Sequence, residues 1–273
     1  MLLTRVITAL CLLLLILPIL FLAPPVALAG LMAVIVALAG WEFGRLLGLR
    51  GIAPLLYALA CVIALILWHD LPSRHAILWL LQASVAAWIV AALLLARGVR
   101  KTTPLFALIA GVLGLLVLPA FAHAAMVLRG LGVGVLLSAA ALVWAADVGA
   151  YFVGKAVGRR KLAPSISPGK SWEGAIGGWA LALAVALGLA VTTALSPTWF
   201  SRIADHAGLL TLVALTTLMV VASVVGDLFE SLLKRQAGKK DSSRLLPGHG
   251  GVLDRIDALL PVLPLAALFA LYL

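Results

Sequence analysis

Residues 231–257 read SLLKRQAGKKDSSRLLPGHGGVLDRID and hold nine of the chain's 30 charged residues. Asp227, Glu230, Ser231 and Lys234 are spaced i, i+3, i+4 and i+7, so in a continuing helix they share one face. At the far end Asp254 and Asp257 are again i, i+3, with Arg255 facing the other way. Between them Lys234, Arg235, Lys239, Lys240 and Arg244 supply positive charge. Gly248-His249-Gly250-Gly251 lets the backbone approach closely, with amides able to reach phosphate oxygens. Hard carboxylate oxygens beside lysine and arginine suit a phosphorylated ligand bound with a divalent cation such as Mg²⁺. The simpler reading, interfacial salt bridges such as Asp241 with a neighbouring cation, stays open for Lys239 and Arg244.

A second polar stretch lies upstream. It runs from Asp147 through Gly149, Gly154, Lys155 and Gly158 to Arg159-Arg160-Lys161, and then to Ser167-Pro168-Gly169-Lys170-Ser171-Trp172-Glu173-Gly174. The small residues permit close helix approach, and the cations can contact phosphate. Asp147 ends an apolar run, where a carboxylate is costly unless paired or coordinating. Gly169-Lys170-Ser171 resembles the end of a P-loop, but Pro164 stands where a glycine is required and no buried strand precedes it, which excludes that site.

The elements that must position these residues are membrane helices. The 273-residue chain is 64% hydrophobic and 11% charged, against the roughly 25% charged of soluble domains. Its mean hydropathy is +1.21. The expected fold is all-α and polytopic, with about nine spans at 6–22, 26–41, 52–69, 76–96, 104–121, 127–146, 174–195, 208–229 and 257–273. Pro24-Pro25 leaves the first two as a hairpin or one broken element. Residues 1–145 form an N-terminal helical region with few distinctive polar residues, and 146–273 the region carrying the site. Of the 20 Lys and Arg, 17 fall on one side of this arrangement; Arg74, Arg129 and Arg202 fall on the other. That asymmetry predicts a cytoplasmic N-terminus and a cytoplasm-facing polar site.

The same rule accounts for the net charge of +10 and leaves no case for nucleic-acid binding. Cys11 and Cys61 fall inside spans and read as small apolar residues. Glu42, in Trp41-Glu42-Phe43-Gly44-Arg45, reads as solvated at a span end. His69, His75, His123 and His206 read as interfacial on the opposite side. A transporter would place its ionisable residues near the bilayer midplane, whereas these gather at span ends.

Ser231, Leu233-Lys234-Arg235, Lys240-Asp241, Ser243, Leu246-Pro247, His249-Gly250-Gly251-Val252 and Asp254-Arg255-Ile256-Asp257 together resemble the signature of the phosphatidate cytidylyltransferases (CDP-diacylglycerol synthases). The 147–155, 167–174 and 226–231 blocks resemble that family too, and the specific likeness covers about 144–260. One departure is the single lysine of Gly169-Lys170-Ser171, where the family pattern has two basic residues. The resemblance implies CTP and phosphatidic acid as substrates, CDP-diacylglycerol and pyrophosphate as products, and a homodimeric enzyme of phospholipid synthesis; the small, Leu/Ala-rich sequence points to a bacterial plasma (inner) membrane.

It further implies Mg²⁺ on Asp227 and Asp254, with a second metal left open, and phosphate contacts from Lys234, Arg235 and Lys240. His249, Gly250 and Gly251 would line a nucleotide cup that Ser167 and Lys170 close. Asp147, Glu173, Asp241 and Asp257 would orient the cations or join the metal shell, and Lys155, Ser231 and Arg255 would contact substrate or nucleotide. A CTP-dependent lipid or polyprenol kinase is the alternative chemistry, and a prenylated lipid phosphate the alternative acceptor.

Overall fold

The structure is a computed structural model that describes residues 2–69, 73–192 and 197–272. Helices dominate: α1 (Leu2–Phe21), α2 (Pro25–Leu46), α3 (Ala53–His69), α4 (Arg74–Leu95), α5 (Pro104–Leu131), α6 (Val133–Val157), α7 (Trp172–Val191), α8 (Trp199–Gln236), α9 (Leu253–Ile256) and α10 (Leu259–Tyr272). Seven of these are long and apolar enough to cross a membrane; Ala53–Trp68 and Leu259–Tyr272 are apolar but shorter. The chain is a polytopic helical membrane protein. In hydrocarbon only structures that satisfy their own backbone hydrogen bonds can span, which is why such composition folds as helices. Leu14, Val26, Trp79 and Leu210 are among many large apolar side chains left exposed, as a lipid-facing surface requires.

Local signals set the helix ends. Pro25 sits in the first turn of α2, so Pro24-Pro25 starts a separate helix instead of breaking one. Thr103 caps α5, accepting from the Phe106 amide at 3.1 Å, and Ser171 caps α7, accepting from Gly174 at 3.1 Å. Gly208, at φ +81°, bends α8 where the predicted eighth span begins. Helices α6 and α8 outrun the apolar stretches to Val157 and Gln236, carrying their charged residues on helix instead of loop. The ends of two predicted spans, at 193–195 and 273, lie outside the described residues, as does the side chain of His69. His123 is no interfacial residue: it is buried in α5, with Nδ1 3.0 Å from the Pro119 carbonyl.

One short sheet joins the helices. Strands β1 (Lys161–Ala163) and β2 (Ser167–Ser171) pair antiparallel, Lys161 opposite Ser171 and Ala163 opposite Ser167, and deliver Lys170 to the site.

Helices α6 and α7 pack backbone against backbone. A Cβ on Gly149 would come within 2.7 Å of the Gly177 carbonyl oxygen, and one on Gly178 would overlap the Ala146 carbonyl oxygen. Because a backbone atom cannot swing aside, Gly178→Ala is expected to separate the helices and cost about 1–3 kcal/mol. The check is the thermal unfolding midpoint in detergent, which should fall; an unchanged midpoint would contradict this packing.

Candidate active site

The polar end of α8 is the centre of the site. Asp227 pairs with Lys170 from β2, and Ser231 lies one turn on, its hydroxyl 3.4 Å from Asp227 Oδ1. A further turn along, Lys234 pairs with Glu230 and places Nζ 2.7 Å from Asp254 Oδ1. The expected one-sided face of α8 is therefore present, and it faces carboxylates and a lysine from three other segments.

Asp254 organises the loop behind it. Its Oδ2 accepts from the Ser242 amide at 3.0 Å, the Ser242 hydroxyl at 2.8 Å and the Gly251 amide at 2.8 Å. Burial works to raise its pKa, but contacts with Glu230, Lys234 and the Gly251 amide outweigh burial and hold the carboxyl well below the usual carboxylate range. Gly250, at φ +85°, brings the chain so close that a Cβ there would lie 2.8 Å from Asp254 Oδ2. The Leu246 amide donates to the Gly250 carbonyl and the His249 amide to the Leu246 carbonyl, each at 2.8 Å, closing the glycine-rich turn.

Glu42 corrects the sequence reading. It is fully buried, not solvated. The Val252 amide donates to its Oε1 at 3.0 Å and the Leu253 amide to its Oε2 at 2.6 Å, while the Ser242 and Ser243 hydroxyls also reach it. A Cβ at Gly251 would overlap Glu42 and Ser242. One side chain of α2 thus fastens the loop and the start of α9, some 200 residues downstream. The argument applied to Asp147, that a carboxyl ending an apolar run needs a partner, would have found it.

The predicted residues divide among three places. Asp147, Lys155, Lys170 and Asp227 line one cavity of about 360 Å³ between α6, α7 and α8, whose remaining wall includes Ala146, Ala150, Leu162, Val220 and Val224. Asp227 is in electrostatic reach of both Asp147 and Asp257. Lys240 and Asp241 line a second cavity of about 410 Å³ with Arg45, Lys239, Ser242, Ser243 and Arg244. Four others serve the scaffold or solvent. Glu173 accepts from the Arg159 and Arg160 amides at 3.0 and 3.2 Å, Arg235 donates to the Ile166 carbonyl at 3.2 Å, Ser167 sits in β2, and Arg255 is exposed.

Among the described residues no three His, Cys, Asp or Glu side chains converge as a ready metal cage. What the site offers is hard oxygen donors: Asp227, paired with Lys170, lies within electrostatic reach of Asp147 and Asp257. Such a set of oxygen donors would suit a divalent cation.

Fold and site together define a polytopic membrane protein that gathers lysines and carboxylates for phosphate chemistry at one end of its bundle. The chain belongs to the cytidylyltransferase family, whose model matches residues 3–273. It is 39% identical over 275 residues to the phosphatidate cytidylyltransferase of Pseudomonas aeruginosa, covering 96% of this chain and 94% of that one. The Haemophilus influenzae phosphatidate cytidylyltransferase is 49% identical over 138 residues, 50% of this chain and 46% of its own length. That of Bacillus subtilis is 42% identical over 144 residues, 51% and 49% respectively.

Proposed function

We propose that this protein transfers the cytidylyl group of CTP to phosphatidic acid, giving CDP-diacylglycerol and pyrophosphate. The observation that carries the reading is the cavity between α6, α7 and α8. Its apolar wall suits lipid chains, while Lys155, Lys170, Asp147 and Asp227 gather at its polar part. The names of the relatives agree with it.

A phosphate monoester has its second pKa near 6, so the lipid phosphate is already largely dianionic at neutral pH and no general base is needed. One of its oxygens attacks the α-phosphorus of CTP. The α–β phosphoanhydride bond breaks, and the bond's electron pair leaves with pyrophosphate. The obstacle is repulsion between two polyanions, and positioned cations lower it. Lys170 and Lys155 would hold the lipid phosphate, while Lys234 stays tied to Glu230 and Asp254. Mg²⁺ held by Asp227, with Asp147 and Asp257 nearby, would neutralise charge on the reacting phosphoryl group and the departing pyrophosphate, while Asp254, whose two oxygens already accept from Lys234, Ser242 and Gly251, would act by holding Lys234. A bacterial inner-membrane location, a cytoplasmic N-terminus and polar end, and a homodimer belong to the same proposal. They rest on the 17 basic residues of one side and on the family resemblance.

The test offers CTP and Mg²⁺ with either phosphatidic acid or a prenyl phosphate to the protein purified in detergent, and identifies the lipid product by mass spectrometry. CDP-diacylglycerol is the expected product. Product from the prenyl phosphate alone would overturn the acceptor assignment.

A further inference from the structure

We propose that Arg45, Lys239, Lys240 and Arg244 form the seat for the β- and γ-phosphates of the nucleotide, the part that leaves as pyrophosphate. This inference rests on the reading above and assigns the second substrate its own place. The cavity these residues line measures about 410 Å³, and its other walls are Asp241, Ser242 and Ser243. No apolar side chain lines it, in contrast to the cavity holding Lys170. A wall of this kind suits a water-borne polyanion and offers an acyl chain nothing.

Charge balance points the same way. Among the described residues, ion pairs engage only Lys170 and Lys234, so the four cations of this cavity form none. Asp241 is the one carboxylate in the wall. Arg45 and Lys239 are half-buried. Burial and then the nearby Arg45 charge push the Lys239 ammonium below its ordinary pKa. A merely solvated basic face would let the two side chains spread apart. Instead Arg45 lies over the Trp41 ring at 4.5 Å, one turn beyond Glu42, and Glu42 fastens α2 to the loop carrying the other three cations. Ser242 joins this wall to the centre, its hydroxyl 2.8 Å from Asp254 Oδ2. A polyphosphate here would therefore lie beside the Lys234–Asp254 pair.

The test is calorimetric binding of inorganic pyrophosphate to the full-length protein in detergent, for the wild type and for Arg45→Gln, Lys239→Gln and Arg45→Lys. Losing one charge-assisted phosphate contact should weaken binding about ten-fold or more in each glutamine variant, with Arg45→Lys recovering part of it. In turnover, KM for CTP should rise by a similar factor while KM for phosphatidic acid stays within about two-fold. Unchanged pyrophosphate affinity would overturn the proposal. A rise confined to the KM for phosphatidic acid would also overturn it, marking a lipid headgroup site. So would equal losses for both substrates with a lowered unfolding midpoint, which would mark a structural role. Pyrophosphate binding is read without turnover, so weakened binding in a protein that makes no CDP-diacylglycerol would keep the seat and remove the activity.

Discussion

Asp254→Asn is expected to abolish turnover, lowering the rate by about a thousand-fold, and to be the most damaging single change in the site. In the wild type Lys234 Nζ lies 2.7 Å from Asp254 Oδ1, and three donors converge on Oδ2. The two side chains are only 14% and 6% exposed, so solvent cannot replace the lost charge. Lys234 would keep Glu230 as a partner, and each buried donor on Oδ2 left unsatisfied costs about 1–3 kcal/mol. The asparagine amide would in addition set a donor against the Ser242 and Gly251 donors if it points that way. Asp227→Asn should behave differently. Asp227 borders the cavity and its side chain is 26% exposed, so the variant should stay folded yet lose about a hundred-fold or more in rate. Steady-state rates at saturating Mg²⁺, paired with unfolding midpoints, separate the two cases. Near-normal metal-dependent turnover in either folded variant would remove these carboxylates from the chemistry.

Glu42→Ala is expected to unfasten the loop from α2. Both carboxyl oxygens lie at a fully buried position, where the Val252 and Leu253 amides and the two serine hydroxyls would be left without an acceptor. Each buried donor left unsatisfied costs about 1–3 kcal/mol, so a loss of several kcal/mol follows even if water fills part of the space. Turnover should fall about a hundred-fold, because Ser242 and Gly251 would no longer be held against Asp254. Glu42→Gln keeps one acceptor oxygen and should fall between wild type and Glu42→Ala in both rate and unfolding midpoint. A wild-type midpoint for Glu42→Ala would show that the loop does not depend on α2.

Much of this was readable in the chain. Apolar runs locate the helices because a span must be long and uncharged, and the i, i+3, i+4, i+7 spacing of Asp227, Glu230, Ser231 and Lys234 foretells the working face of α8. Apolar runs do not mark the helix ends where charged residues continue a helix past its apolar stretch, as in α6 to Val157 and α8 to Gln236. The hairpin of β1 and β2 leaves no mark in the sequence because three and five residues are too few to show a period. The place of Glu42 at the end of an apolar run signals that it needs a partner, but the partners of Glu42 and Arg45 lie about 200 residues away and no local spacing identifies them. Residue type also overstates chemistry: Glu173 and Arg235 look like site residues, yet their contacts are with backbone amides and a backbone carbonyl.

The most direct measurement supplies phosphatidic acid and Mg²⁺ with CTP labelled at either the α- or the γ-phosphate, and follows the label. The account predicts that α-label enters the lipid and that γ-label leaves as pyrophosphate. Recovery of γ-label in the lipid would mean phosphoryl transfer from CTP, and would contradict nucleotidyl transfer at this site.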